Sequence, residues 1–109
     1  MKLSKNAEKK IMANVKVLQD LLDPIEKSGT RIVFFEAPFD KDFMSSPASL
    51  FLRQALVGAF PPTKYGWIFP EGDQIYNTTD SIHLDKEGGI RFSNYMLNQL
   101  RINGWLSNI

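Results

Sequence analysis

An α/β fold with parallel strands is predicted by three features of this chain. Apolar residues recur at helical spacing near the start and again near the end. Two short runs rich in β-branched and aromatic residues lie between them. Helical and extended patterns alternate, in the order helix, strand, helix, strand, helix. Strands joined through helices pair in parallel through right-handed crossovers.

The first helix is predicted from about Ser4 to Lys27. Ile11, Val15, Leu18, Leu22 and Ile25 follow one another at intervals of four, three, four and three, which is one face of an amphipathic helix. Pro24 lacks a backbone donor and crowds the preceding turn, so a kink or break is expected near Asp23. Gly29 supplies the left-handed residue that ends helices.

Arg31-Ile32-Val33-Phe34-Phe35 is a continuous apolar run, expected to be a strand covered on both faces. Glu36-Ala37-Pro38-Phe39-Asp40 leaves it as a loop. Ser46 and Pro47 form a cap and first-turn pair for a helix from Pro47 to about Ala59, which Pro61-Pro62 stops. Leu50, Phe51, Gln54, Leu56 and Val57 make the surface of that helix largely apolar. Tyr65-Gly66-Trp67-Ile68-Phe69 is the second strand, closed by Pro70. Residues 71–85 form a polar loop. Asp85 caps the last helix, from Lys86 to about Asn103, with Gly89, Phe92, Met96 and Leu100 on its inner face and Tyr95 beside them. Gly104 ends it, and Trp105-Leu106 are expected to fold back. Phe34, Phe35, Trp67 and Phe69 read as core; Phe39, Phe43 and Phe60 flank loops.

Composition bounds the function. At 109 residues the chain reads as one small α/β domain covering 1–109. Its hydrophobic share of 43% is enough for a core. The net charge of +1 points to no nucleic-acid partner. Lys2, Lys5, Lys9, Lys10 and Lys16 are interspersed with Glu8 and Asp20, as on a solvated helix face. There is no cysteine, which excludes disulfides, thiolate metal sites and a cysteine nucleophile. No apolar run approaches the ~20 residues of a membrane span. The start of the chain lacks a secretory pattern, so a cytoplasmic location is expected.

The candidate chemistry lies in Thr79-Asp80-Ser81-Ile82-His83-Leu84, followed by Asp85-Lys86-Glu87-Gly88-Gly89. It holds the only histidine. An Asp three residues before a His, in a tight loop, lets the carboxylate fold onto the ring and fix its tautomer. The loop leaves the carboxyl edge of a parallel sheet, where ligands of open α/β sheets bind. Glu36, Asp40 and Asp42 also follow a strand; together with His83 they offer oxygen and nitrogen donors for a divalent metal, though solvated carboxylates are the simpler reading. No cofactor and no metal is expected.

The run from Asn77 to Met96 resembles the last conserved block of the SGNH hydrolases, also called GDSL esterases and lipases. That block is an Asp-x-x-His-Leu/Pro segment, a polar pair, a glycine and then a helix with an aromatic or aliphatic residue facing the sheet. The upstream order of elements is similar too. The resemblance covers nearly the whole chain but corresponds to the last third of a family member. It implies a three-layer, flavodoxin-like partial domain. It implies catalytic roles for Asp80 and His83 and for no other residues. The family's serine, glycine and asparagine blocks have no counterpart, since no Gly-Asp-Ser-Leu-like or Gly-x-Asn-Asp segment occurs here. Ser45 and Ser46 fall in the wrong place and read as capping residues.

Two functions follow as expectations. One is a fragment or truncated homologue carrying the Asp–His part of an acyl-ester hydrolase site, inactive alone and completed by a partner segment that supplies missing strands and the serine. The other is a standalone small α/β binding or interaction protein, a homodimer without catalysis. The chain's opening directly onto a helix, and its finish just after Gly104, favour the second. A third reading leaves an incidental Asp-x-x-His in a small α/β domain.

Overall fold

The computed structural model describes residues 2–38, 41–71, 76–80 and 83–106. Phe39 and Asp40, part of the 71–85 loop, and Ser81-Ile82 lie outside the described residues. Among the described residues, four helices and a two-stranded sheet occur in the order α1 (Lys5–Lys27), β1 (Val33–Phe35), α2 (Lys41–Met44), α3 (Pro47–Ala59), β2 (Gly66–Ile68) and α4 (Lys86–Ile102). The strands are parallel, with Val33 opposite Gly66, Phe34 opposite Trp67 and Phe35 opposite Ile68. The described residues thus form a mixed α and β structure built on parallel pairing. They group into two compact units: Met1–Ile32 with Ser45–Tyr65, and Val33–Met44 with Gly66–Ile109.

The first unit is a pair of packed helices, α1 against α3. Ser4 starts α1, its hydroxyl accepting the Ala7 N–H at 3.1 Å. Ile11, Val15, Leu18 and Leu22 face inward, with Val15 buried. The stripe does not continue to Ile25, which is 44% exposed. It continues to Glu26, four residues beyond Leu22, because the Tyr65 hydroxyl donates to the Glu26 carboxylate at 2.6 Å and Lys64 pairs with it at 3.2 Å. Of the kink or break expected near Asp23, the break does not occur; α1 runs through Pro24 to Lys27. Pro24 stands in the last turn, where only one hydrogen bond is lost, and its carbonyl still accepts the Ser28 N–H at 3.1 Å. Gly29 then turns the chain with φ +90°. In α3 the Ser46 hydroxyl caps Ser49 N–H at 3.2 Å. Phe60 ends the helix and is buried, with its ring edge-on to Tyr65 at 5.4 Å.

The second unit holds the sheet, α2 and α4. One sheet face carries Val33, Phe35, Gly66 and Ile68; the other carries Phe34 and Trp67, whose rings stack at 4.9 Å. Phe92 of α4 is the centre of this unit, 5% exposed, with Phe35, Tyr76 and Tyr95 around it at 6.0–6.4 Å. The Tyr95 hydroxyl donates to the Phe69 carbonyl at 2.7 Å and ties α4 to the end of β2. At the other end of α4 the chain closes a Schellman turn: Gly104 N–H bonds the Arg101 carbonyl and Trp105 N–H the Leu100 carbonyl, with Gly104 at φ +70°. That turn folds Trp105 back over Gly66, as expected, and a β-carbon on Gly66 would lie 3.0 Å from its ring.

Two expectations about burial are corrected. β1 is not covered on both faces: Phe35 is 55% exposed and only its neighbours are half-buried. Phe69 is exposed as well, since the strand ends at Ile68 and the ring stacks on Trp67 from outside. α2 is an addition to the expected order. A single turn leaves no periodicity to read.

Candidate functional site

Two backbone pairings hold the Asp80–His83 loop closed. Thr78 and Leu84 form an antiparallel bridge, and Thr79 N–H bonds the His83 carbonyl at 2.8 Å. One step further out, Asp85 N–H bonds the Asn77 carbonyl at 3.0 Å. The loop is then fastened to the helix it enters. Asp85 is the N-cap of α4 and accepts Gly88 N–H at 2.7 Å. Gly88 is buried beneath it, and a β-carbon there would lie 3.0 Å from Asp85 Oδ1 and 3.5 Å from the Asn77 carbonyl. Glycine at this position lets the cap and the loop base come together.

Tyr76 anchors the segment that enters the loop. Its ring is buried against Phe92, its hydroxyl donates to Glu71 at 2.9 Å, and the Arg91 guanidinium lies 4.2 Å above its face. Burial pushes its phenol above the usual value, and the Glu71 hydrogen bond adds to this. Burial acts on Tyr95 in the same direction.

Within this frame the carboxylate of Asp80 clamps His83 twice. Oδ1 accepts the His83 backbone N–H at 2.7 Å, and Oδ2 lies 2.6 Å from Nδ1. A carboxylate offers only acceptors, so Nδ1 donates and a neutral ring carries its lone pair on Nε2. The side chains of His83 and Asp80 are 76% and 52% exposed, so that lone pair faces solvent. Among the described residues no hydroxyl hydrogen-bonds Nε2. The two residues singled out from sequence therefore meet.

The other candidates behave differently. Glu36 continues the sheet through its backbone, its N–H bonding the Ile68 carbonyl at 3.0 Å. Asp42 is exposed on α2, and Asp40 lies outside the described residues. Among the described residues no three His, Asp or Glu side chains come together in a way that would hold a metal ion. The Ser46 oxygen is occupied as a helix cap. No described helix is long and apolar enough to cross a membrane.

Sequence pattern does not reveal the loop closure by Thr79 or the packing role of Gly88. Nor does it reveal the Glu26–Tyr65–Lys64 cluster of the helical unit, although the four-residue step from Leu22 to Glu26 was its available signal. The chain matches no protein family, no curated protein and no solved structure.

Proposed function

We propose that the chain carries the Asp–His half of an SGNH-type acyl-ester hydrolase site, within a partial three-layer, flavodoxin-like fold of the cytoplasm. His83 is the base that takes a proton from a serine and returns it to the leaving group, and Asp80 is the carboxylate that orients it. The observation that supports this is the 2.6 Å contact of Nδ1 with Asp80, which leaves Nε2 open in a loop pinned to α4. A base without its nucleophile loses nearly all the rate of the complete set, because such groups act as a unit. The chain alone is therefore inert toward unactivated alkyl esters. The test is completion: co-expression with an N-terminal segment carrying the serine, glycine and asparagine blocks. Hydrolysis of short alkyl esters should appear, and His83→Ala should abolish it. Restored hydrolysis that is indifferent to His83 would refute the reading.

A second reading, a self-associating interaction module without catalysis, draws on a different observation. Val17, Leu21 and Ile25 recur every four residues on α1 and are 55%, 65% and 44% exposed. A helix seldom leaves such a stripe to water. Sedimentation decides this: a stable folded dimer favours the module, and a monomer at high concentration removes it.

A further inference from the structure

The open Nε2 has a second use that needs no serine. We infer that His83 is itself a nucleophile toward activated acyl donors, thioesters and aryl esters, forming a transient acyl-imidazole. The inference rests on the dyad geometry but not on any missing segment.

The argument is one of leaving groups. Attack by Nε2 on an acyl carbonyl gives a tetrahedral intermediate that expels whichever substituent leaves more easily. A generic imidazole, with a conjugate acid near 6.5, competes with thiolates near about 8.5 and phenolates near about 10. It leaves far more readily than an alkoxide, whose parent alcohol is a much weaker acid than a thiol or a phenol. Alkyl esters therefore return to starting material, whereas thioesters and aryl esters go forward. Histidine is among the side chains that form covalent intermediates of this kind.

The geometry selects the reactive nitrogen. Nδ1 is occupied by Asp80 Oδ2 at 2.6 Å, so acylation is directed to Nε2. The 76% exposure of His83 admits an acyl donor without rearrangement. In the first step the Nε2 lone pair forms the C–N bond, the C–S or C–O bond breaks, and the thiolate or phenolate departs. The proton on Nδ1 passes to the Asp80 carboxylate, leaving a neutral acyl-imidazole. Water then attacks the carbonyl and gives one of its protons to solvent, the C–N bond breaks and a carboxylic acid leaves. Asp80 returns its proton to Nδ1, and the ring is regenerated. Asp80 is the positioning residue here.

The 109-residue chain should be tested with p-nitrophenyl acetate and S-phenyl thioacetate, with ethyl acetate as the control. Release of phenolate or thiolate should exceed that of free imidazole at equal concentration. Acid-quenched samples should carry an acetyl group on His83. His83→Ala should lose both signals. Asp80→Asn presents an amide donor in place of the carboxylate and favours the opposite tautomer, so the adduct should disappear while circular dichroism stays unchanged and the ring nitrogen NMR shifts exchange places. Ethyl acetate should remain intact throughout. Acetylation confined to lysines, turnover no greater than free imidazole, or turnover unchanged in His83→Ala would each overturn the inference. Cleavage of ethyl acetate by the chain alone would also overturn it, by revealing a hydroxyl nucleophile. Failure of the aryl and thioester reactions would leave the serine-completion result untouched, so the two readings fail separately.

Discussion

Gly88 lies directly under the carboxylate of Asp85, close enough that a methyl group would sit 3.0 Å from Oδ1. The same oxygen accepts Gly88 N–H at 2.7 Å and starts α4. The neighbouring Gly89 has open space where its β-carbon would be. Adjacent glycines thus predict opposite outcomes. Gly88→Ala displaces the cap and should cost about 1 kcal/mol, the usual worth of such a cap. Gly89→Ala should stabilise by up to about 1 kcal/mol through helix propensity alone. Thermal or urea unfolding of the two variants measures this, and equal signs would contradict the packing.

Asp85→Ala should cost about 1 kcal/mol by removing the cap. It also frees the base of the dyad loop, since the Asp85 N–H and the Asn77 carbonyl pair beside it. Amide hydrogen exchange at Thr79, whose N–H is held by the His83 carbonyl, should accelerate in this variant and not in Gly89→Ala.

Gly66→Ala should press on the ring of Trp105 and on Val33 Cγ2, both 3.0 Å from the added carbon. Overpacking of this kind costs about 1–3 kcal/mol. Gly104→Ala, at φ +70°, should cost about 1–2 kcal/mol by straining the turn that returns Trp105. Both should shift tryptophan emission to the red at their folded baselines, because each loosens the same indole.

The Glu26 carboxyl is held below its ordinary value of 4.5, first by the Tyr65 hydroxyl and then by Lys64. The Tyr65 phenol is held above its ordinary 10.0, first by its hydrogen bond to Glu26. A lowered acid contributes stability above its unfolded value and loses it as pH falls through the folded one; a raised phenol contributes below its unfolded value and loses it as pH rises. Wild type should therefore exceed Glu26→Gln in melting temperature across the range between 4.5 and 10.0, with the difference shrinking on either side. A difference that is flat with pH would show that the cluster contributes nothing.

Local chemistry made much of the structure legible. Ser46-Pro47, Asp85, Gly29 and Gly104 place helix ends because caps and left-handed glycines act within a few residues. Asp80 and His83 were readable for the same reason: three residues of separation bring them together without help from the rest of the fold. What sequence conceals is decided at a distance. Glu26 replaces Ile25 on the inner stripe because Tyr65, 39 residues later, supplies a partner. Phe35 and Phe69 look like core by type, yet the described sheet has only two strands to shelter them. Pro24 reads as a breaker, but its cost depends on how many hydrogen bonds remain beyond it, and in a final turn that number is small.

The two compact units are interleaved along the chain, which passes between them at Ile32–Val33, Met44–Ser45 and Tyr65–Gly66. During synthesis the helical pair has all its residues once Tyr65 has emerged from the ribosome. The sheet cannot form then, because β2 and α4 are still to come. Val33-Phe34-Phe35 must therefore wait as a bare aromatic segment while the middle of the protein is made. That interval is when an incomplete chain is most prone to aggregate, and when a chaperone that binds extended apolar peptides has something to hold.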